Sequence, residues 1–265
     1  MNTVVAFLKK DFLIAWSYKV PFLLSIVFIF LNIVIFFYFS KFIDGGENIY
    51  LKTENYFTFV ILGIAIADMS NTLLSKISIE IRNYQLIGVF ERLILASSNP
   101  YKLFLSSYAY PLIFSLVKIS IYLCISVIYF GANFQILENF IIFSCGLILT
   151  LISVSGIGMI AGAYTILFKQ GNPVMQLYLL LSSSIGGIFF PQNVFPSLID
   201  SVANFLPIRH SLDILRGMSS QATELEILNS FAWLICLSVV YFLFGFILLK
   251  FSINYSKKNG SLLYY

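Results

Sequence analysis

Charged residues are scarce in this chain of 265 residues, because Asp, Glu, Lys and Arg together make up only 11% of it. Soluble domains average about 25% charged residues. Hydrophobic residues make up 59% of the sequence, with 28 Phe and 16 Tyr among them, and a water-soluble core of this size could not bury so much apolar surface. The composition therefore excludes a soluble enzyme, a disulfide-bonded secreted domain and a disordered protein. It predicts a polytopic membrane protein.

Residues that usually bind metals or perform catalysis are scarce as well. The single histidine, His210, cannot form a metal site by itself. The three cysteines lie far apart inside apolar runs, at Cys124, Cys145 and Cys236, where we expect buried thiols that are neither bridged nor metal-bound. No GxxxxGK[ST], HExxH or GxSxG motif occurs, so a P-loop and hydrolase chemistry are not expected. We therefore expect no catalytic residue, no metal ligand and no cofactor in this chain.

Apolar stretches long enough to cross a bilayer, about 20 residues each, occur six times. They are Pro21–Ser40, Tyr56–Ser75, Leu103–Phe130, Phe140–Phe168, Met175–Phe190 and Ser230–Lys250. We therefore predict an all-α membrane protein with six transmembrane helices, in which residues 1–265 form a single domain. The fifth stretch is short and stops at Pro191, which suggests an irregular end.

The distribution of positive charge predicts the orientation. If the N-terminus is cytoplasmic, 11 of the 16 Lys and Arg residues fall on the inner side and 4 on the outer side, with Lys118 inside the third span. Inner loops of membrane proteins are enriched in Lys and Arg. We therefore expect a multi-pass protein of the cytoplasmic (inner) membrane with both termini in the cytoplasm.

The N-terminal stretch, residues 1–20, has the pattern of an amphipathic helix. One helical face carries apolar residues, namely Val4, Leu8, Phe12 and Ala15. Lys9, Lys10 and Asp11 lie beside that face. Such a helix lies along the inner membrane surface in contact with lipids. A simple flank that sets the topology is the alternative.

The inner segment, residues 76–102, mixes charged and apolar residues at helical spacing. Its charged residues include Glu80, Arg82, Glu91 and Arg92. Gly88 interrupts the pattern and Asn99-Pro100 ends it, which predicts a helix, a break and a second short helix. A protruding helix of this kind is suited to docking on a soluble partner. The alternative is a solvated inner loop.

The outer segment, residues 191–229, contains short helical pieces bracketed by prolines. The prolines are Pro191, Pro196 and Pro207. Between them an apolar stripe recurs at helical spacing, formed by Val194, Leu198, Val202 and Phe205. We predict a helical hairpin that dips into the outer leaflet and could act as a gate. A surface loop with one interfacial helix is the alternative.

Two ionisable residues fall inside predicted spans, Asp68 in the second and Lys118 in the third. Charged groups are costly in lipid and are functional candidates by default. Both lie about 18 Å below the outer boundary at 1.5 Å per residue. They therefore either form an ion pair, or Lys118 extends toward the interface while Asp68 faces a polar cavity.

The whole pattern resembles the ABC type-2 transporter permeases. The run Gly187-Ile-Phe-Phe-Pro191, with Pro196, Phe205-Leu-Pro207 and Leu215-Arg216-Gly217, is similar to that family's sequence after the fifth helix. The run from Ile81-Arg82 through Gly88 and Glu91 to Pro100 is similar to the family's inner stretch. The sequence departs from the family at Val89-Phe90, where Thr-Leu is common, and at Ser98-Asn99-Pro100, which replaces Ser-Pro.

The resemblance implies a coupling helix between helices 2 and 3, an outer re-entrant hairpin between helices 5 and 6, and specific site residues. ATPase coupling would involve Arg82, Gly88, Glu91 and Arg92. The outer gate would include Phe190, Pro191, Pro196, Pro207 and Arg216.

The resemblance also implies partners and a function. Two copies of a separate P-loop ATPase, which holds ATP and Mg, would drive a homodimer or a pair of similar permeases. The expected function is outward transport of a hydrophobic or amphipathic compound, such as a drug, lipid or peptide. Export of a lipid-linked polysaccharide is the alternative, and an ion-coupled transporter using Asp68 and Lys118 is a further one. Nucleic acid is not an expected partner.

Overall fold

The fold is helical throughout the residues that the computed structural model describes, which are 3–44, 56–97, 99–132, 134, 140–169, 172–217 and 223–259. The helices are α1 (Thr3–Ser17), α2 (Lys19–Asp44), α3 (Tyr56–Leu86), α4 (Phe90–Ala96), α5 (Pro100–Ser107), α6 (Ala109–Phe130), α7 (Phe140–Phe168), α8 (Pro173–Ile185), a 3-10 turn (Gln192–Val194), α9 (Ser197–Ala203), α10 (Pro207–Gly217) and α11 (Glu224–Lys258). We call the end of the bundle that carries α1, α4 and α5 the inner end. The end that carries α9 and α10 is the outer end. Both names follow the predicted orientation.

Five helical segments in these ranges are long and apolar enough to cross a membrane. They are α2, α3, the pair α5–α6, α7 and α11. The remaining predicted span, Met175–Phe190, corresponds to α8, which is apolar but only 13 residues long. The prediction that this helix reaches Phe190 is wrong, because α8 ends at Ile185 and Gly187 adopts a positive φ of 80°.

The predicted third span consists of two helices. Their junction is Tyr108, between α5 and α6. Pro111 follows three residues later, and a proline ring clashes with the carbonyl four positions before it, here Ser107. The Tyr108 N–H instead bonds the Leu105 carbonyl at 3.2 Å, a tight 3-10 contact. The extra length of this span is therefore accommodated by a break.

Two predicted segment boundaries shift because helices extend beyond the apolar runs. Helix α3 continues past Ser75 to Leu86, so part of the segment 76–102 belongs to it. Helix α11 begins at Glu224, inside the segment 191–229, where Thr223 and Glu226 form a capping box. Residues 1–2, 98 and 218–222 of the predicted segments lie outside the described residues.

Helix α3 forms the centre of the bundle. It contacts α2, α4, α5, α6, α7, α8 and α10. Its side chains include some of the most completely buried ones, such as Ile61, Met69 and Leu73. Helix α2, in contrast, turns most of its apolar side chains outward. A membrane protein tolerates such an outward face because lipid is as apolar as the core.

The most extensive helix contact joins α7 to α11. At its centre Gly156 faces Gly245, and a Cβ on Gly245 would collide with the Gly156 carbonyl. Small residues let two helix backbones approach closely, and this is a principal source of attraction between helices in lipid. The two glycines therefore set the spacing of α7 and α11.

The expectation that the cysteines are buried is wrong. All three, Cys124, Cys145 and Cys236, are free thiols exposed on the bundle surface. Their apolar neighbours indicated burial, but an apolar run in a membrane protein faces lipid as readily as it faces the core.

We predict that Gly245→Leu destabilises the bundle, whereas Ala232→Leu does not. A leucine at position 245 would force α11 away from Gly156, and overpacking of this kind costs about 1–3 kcal/mol. Ala232 lies on the exposed side of the same helix, so it is a matched control for added volume. Thermal melting followed by size-exclusion chromatography measures the difference. Equal melting temperatures for the two variants would contradict the assigned contact.

Candidate functional site

The structure brings together the two ionisable residues predicted inside spans. The Lys118 ammonium donates to the Asp68 carboxylate at 3.1 Å (Oδ2) and 3.3 Å (Oδ1), and to the Thr72 hydroxyl at 3.4 Å. It also lies 5.4 Å from the Phe114 ring centroid. Both side chains are only partly exposed, Lys118 by 14% and Asp68 by 27%. The pair links α3 to α6 midway along both helices.

Two cavities meet at this ion pair. The cavity toward the outer end, here the outer cavity, has a volume of about 420 Å³ and is bordered by α2, α3, α8 and the loop after α8. The cavity toward the inner end, the inner cavity, has a volume of about 460 Å³ and is lined by the first half of α2 together with Asp68 and Lys118. Asp68 lines both cavities, whereas Lys118 lines only the inner one.

At the outer end, Arg216 holds the loop that follows α8. Its guanidinium donates to the carbonyls of Gly187 at 2.6 Å and Ile188 at 3.3 Å, and to the Phe59 carbonyl of α3 at 2.8 Å. It also lies 3.5 Å from the centroid of the Phe59 ring. The fork of donors on one arginine satisfies several carbonyls at once. We call Arg216, Gly187, Ile188 and Phe59 the outer latch.

Local sequence explains why the outer latch forms. Pro207 is the first residue of α10, a position that suits proline because its missing N–H has no partner there. Arg216 lies in the last turn, where a cation complements the helix dipole. Gly63 provides the space, since a Cβ there would lie 2.6 Å from the Ile188 oxygen and 2.9 Å from a nitrogen of Arg216. Gly63 was not among the predicted site residues.

Further polar contacts join the parts of the outer end. Arg209 pairs with Asp200 at 2.7 Å, which fixes α10 to α9. The Gln192 amide donates to Asp213 at 2.6 Å. Burial raises the pKa of Asp213, and the bond from Gln192 and nearby cations offset this only in part. The Nε2 atom of His210 lies within hydrogen-bond distance of the Asn204 carbonyl, at 2.9 Å.

The predicted gate residues occupy different environments. Phe190 is exposed, Pro191 is half-buried, Pro196 precedes α9 and is exposed, and Pro207 is buried. The helix expected over the apolar stripe is shorter than predicted, spanning Ser197–Ala203. Its stripe residues, Val194, Leu198, Val202 and Phe205, are at least half exposed. The stripe therefore points out of the protein, and α10 is the buried helix of this region.

At the inner end, the break predicted near Gly88 has a defined geometry. Gly88 has a φ of 74°, the Gly88 N–H bonds the Gln85 carbonyl, and the Val89 N–H bonds the Tyr84 carbonyl. These two bonds form a Schellman motif, which ends a helix at a glycine. Helix α3 therefore stops here and the chain turns into α4.

Helix α4 has one anchored side and one outward side. Phe90 and Ile94 are buried, and the Phe90 ring lies 6.4 Å from that of Phe104 in α5. Glu91 is half-buried and Arg92 is exposed, and Glu91 occupies the first turn of the helix. Arg82, on α3, donates to the Lys169 carbonyl at 2.7 Å and so connects α3 to the end of α7.

A charged cluster that the sequence did not reveal fixes α1 to α3. Lys10 pairs with Glu80 at 2.6 Å, and Lys76 pairs with Asp11 at 2.6 Å. Burial lowers the pKa of Lys10, but its hydrogen bonds to Glu80 and Tyr84 and the Glu80 charge outweigh burial and hold that pKa above its ordinary value. The only sequence signal was the spacing of Lys76 and Glu80, which are one helical turn apart.

Comparison with family models identifies the chain. The model of the ABC-2 type transporter family matches residues 3–219. The chain belongs to the ABC-2 type transporter family. The comparison with curated proteins gave no match.

Members of the ABC-2 type transporter family are membrane subunits of ABC transporters, and they carry out transport rather than catalysis. Permeases of this family generally work with an ATPase partner. The matched residues extend from α1 through α10 and stop before α11. The charged cluster on α1, the Asp68–Lys118 pair and the outer latch all fall within the matched part of this ABC-2 chain.

We predict that Arg216→Lys loosens the loop over residues 186–196. Lysine keeps the positive charge but lacks the planar guanidinium with its several N–H donors. It therefore leaves at least one of the carbonyls of Gly187, Ile188 and Phe59 without a donor, at a cost of about 1–3 kcal/mol. Hydrogen–deuterium exchange of the loop peptides should accelerate by about tenfold or more. Arg92→Lys, on the exposed side of α4, is the matched control. Unchanged exchange in the Arg216 variant would show that the outer latch does not hold the loop.

Proposed function

We propose that this chain is the membrane-spanning subunit of an ATP-driven exporter that moves a hydrophobic or amphipathic compound outward across the cytoplasmic membrane. Two copies of a separate P-loop ATPase would supply the energy. Two copies of the chain, or this chain and a similar permease, would form the pathway, with both termini in the cytoplasm.

One observation carries this proposal: a single helix connects all three candidate regions. Helix α3 contributes Phe59 to the outer latch, Asp68 to the ion pair and Arg82 to the inner end. Its 31 residues form one uninterrupted helix, about 46 Å long at 1.5 Å per residue. A packed helix transmits displacement because a close-packed interior is hard to compress. Movement at α4 would therefore reach the outer latch.

The outward side of α4 and its flanks fit a protein partner. Leu95 is 65% exposed and Ile87 is 72% exposed, and both lie near Glu91 and Arg92 in sequence. Apolar residues bordered by charges are typical of a docking surface. We assign ATPase docking to this surface, with Arg82 and the Gly88 turn linking it to the bundle.

Helix α8 with the loop that follows it would form the sixth membrane crossing. Thirteen helical residues reach about 20 Å, which is less than the roughly 30 Å of hydrocarbon. The five residues Gly186–Phe190 continue toward the outer end, and Gly186, Gly187 and Ile188 are buried. Non-helical backbone is tolerated at membrane depth when it is buried in protein, and Arg216 satisfies two of its carbonyls.

The cavities favour a compound of drug or lipid size over a polysaccharide chain. Volumes of about 420 and 460 Å³ fall within the range of small-molecule sites, about 300–1,000 Å³. Their linings combine apolar side chains of α2, such as Phe28 and Phe36, with Asp68.

A second permease would cover the exposed face of α8. This face includes Leu177 and Leu180.

The ion pair of Asp68 and Lys118 favours a second candidate, an ion-coupled transporter that works without an ATPase. Discontinuous helices near the midplane are typical of such proteins. Here the irregular backbone of residues 186–190 is at the outer end, which favours the ATP-driven exporter.

We expect Glu91→Ala to reduce ATP-driven transport by about tenfold in vesicles that contain the chain and its ATPase, because Glu91 would make a charged contact with the ATPase. Glu224→Ala, an exposed acidic residue at the outer end, should leave transport unchanged. Transport is measured with a fluorescent lipid as cargo.

Two results would contradict different parts of the proposal. Full ATP-driven transport by the Glu91 variant would show that Glu91 does not couple α4 to the ATPase. Transport by the purified chain down an ion gradient, without ATPase, would establish the ion-coupled alternative instead.

A further inference from the structure

The Asp68–Lys118 pair separates the two cavities, and its two charges are placed unequally. The inner cavity is lined by both residues, whereas the outer cavity is lined by Asp68 and, among its described lining residues, by no cation. Any head group that moves from the inner to the outer cavity passes this pair. Only Asp68 would stay in contact with the head group on both sides.

From this placement, we infer that Asp68 binds the ammonium head group of a cationic amphiphile, and that Lys118 occupies the site when substrate is absent. The inference rests on the proposed function and specifies its substrate class. An anionic head group held by Lys118 would face the Asp68 carboxylate in both cavities and would find no cation in the outer one. A cationic head group, in contrast, would meet the Asp68 carboxylate in both cavities.

The contacts of Lys118 show what the site accepts. Its ammonium lies 3.1 Å from the Asp68 carboxylate, donates to Thr72 and lies near the Phe114 ring. A substrate ammonium that displaced it would gain the same carboxylate and ring. Ammonium groups are recognised in this way, by a carboxylate together with aromatic faces. The tethered lysine thus acts as an intramolecular competitor.

The outer cavity also contains a hydrogen-bond acceptor for an ammonium head group and apolar side chains for an alkyl tail. The Asn32 amide donates one of its two N–H groups to the Phe28 carbonyl at 2.9 Å, and its amide oxygen can accept a hydrogen bond from an ammonium head group. The rings of Phe36 and Phe189 stack at 5.7 Å and form an aromatic wall. Ile64 and Leu179 supply apolar surface for the tail.

Binding to the purified chain in lipid nanodiscs tests this inference, with radiolabelled dodecylamine as the cationic probe. Dodecyl sulfate and dodecyl maltoside serve as anionic and neutral probes of equal chain length, and empty nanodiscs give the partition background. We expect saturable binding of dodecylamine above background and of neither other probe.

The two single variants should have opposite effects. Asp68→Asn should weaken dodecylamine binding by about tenfold or more, because the counter-charge is lost. Lys118→Gln should strengthen it by about tenfold, because the internal competitor is removed. The double variant should bind as weakly as Asp68→Asn. Asp200→Asn, which removes an acid of the outer end that lies outside both cavities, should bind like the wild type.

A purely structural ion pair gives a different pattern, in which both single variants lose binding and the double variant recovers it. That pattern would overturn the inference, as would equal binding of the three probes. If Asp68→Asn does not fold, Lys118→Gln decides the question, since it retains Asp68 and must gain affinity. The assay contains neither ATPase nor nucleotide. A negative binding result would therefore not contradict ATP-driven transport. A negative result in the Glu91 transport test would likewise not contradict the binding site at Asp68.

Discussion

The structure depends on one constraint, that buried backbone polar groups need a hydrogen-bond partner inside the protein. Helices satisfy this constraint by themselves, but the segment after α8 cannot, because Gly187 turns the chain out of helical geometry. Arg216 supplies the missing donors to Gly187 and Ile188 and extends the same guanidinium to Phe59 of α3. One side chain therefore both permits an irregular outer segment and connects it to the central helix.

Because α3 is central, features that are far apart in sequence become mechanically related. Its outer end meets Arg216, its middle carries Asp68, and its inner end pairs Glu80 with Lys10 of α1. The Schellman turn at Gly88 then leads directly into α4. Permeases of this family generally work with an ATPase partner, and under the proposed function this connection carries displacement from that partner to the transport pathway.

Sequence reasoning located charges well and their partners poorly. Asp68 and Lys118 were found because an ionisable residue is conspicuous in an apolar run, and their similar depth allowed a pair. The Lys10–Glu80 pair was missed because 70 positions separate the two residues, and local spacing carries no information at that distance. Arg216 was expected at the gate, yet its contact with Phe59 was not, because 157 positions separate the two residues in the sequence.

The burial expected for Cys124, Cys145 and Cys236 was wrong for a different reason, since lipid and core are both apolar.

The amino-acid sequence alone determined the membrane class, the helical fold and the approximate position of each apolar span, because these follow from hydropathy and from the length needed to cross a bilayer. It also predicted the helix break near Gly88, because a glycine acts through local backbone geometry. The breaks at Tyr108 and after Ile185 were not predicted, since both lie inside runs that hydropathy predicts as continuous spans. Only the tertiary structure decided which face of each helix meets protein and which meets lipid. Both surroundings accept the same apolar side chains, so periodicity does not distinguish them. Helix packing alone also placed Asp68 between two cavities with Lys118 on one side of it.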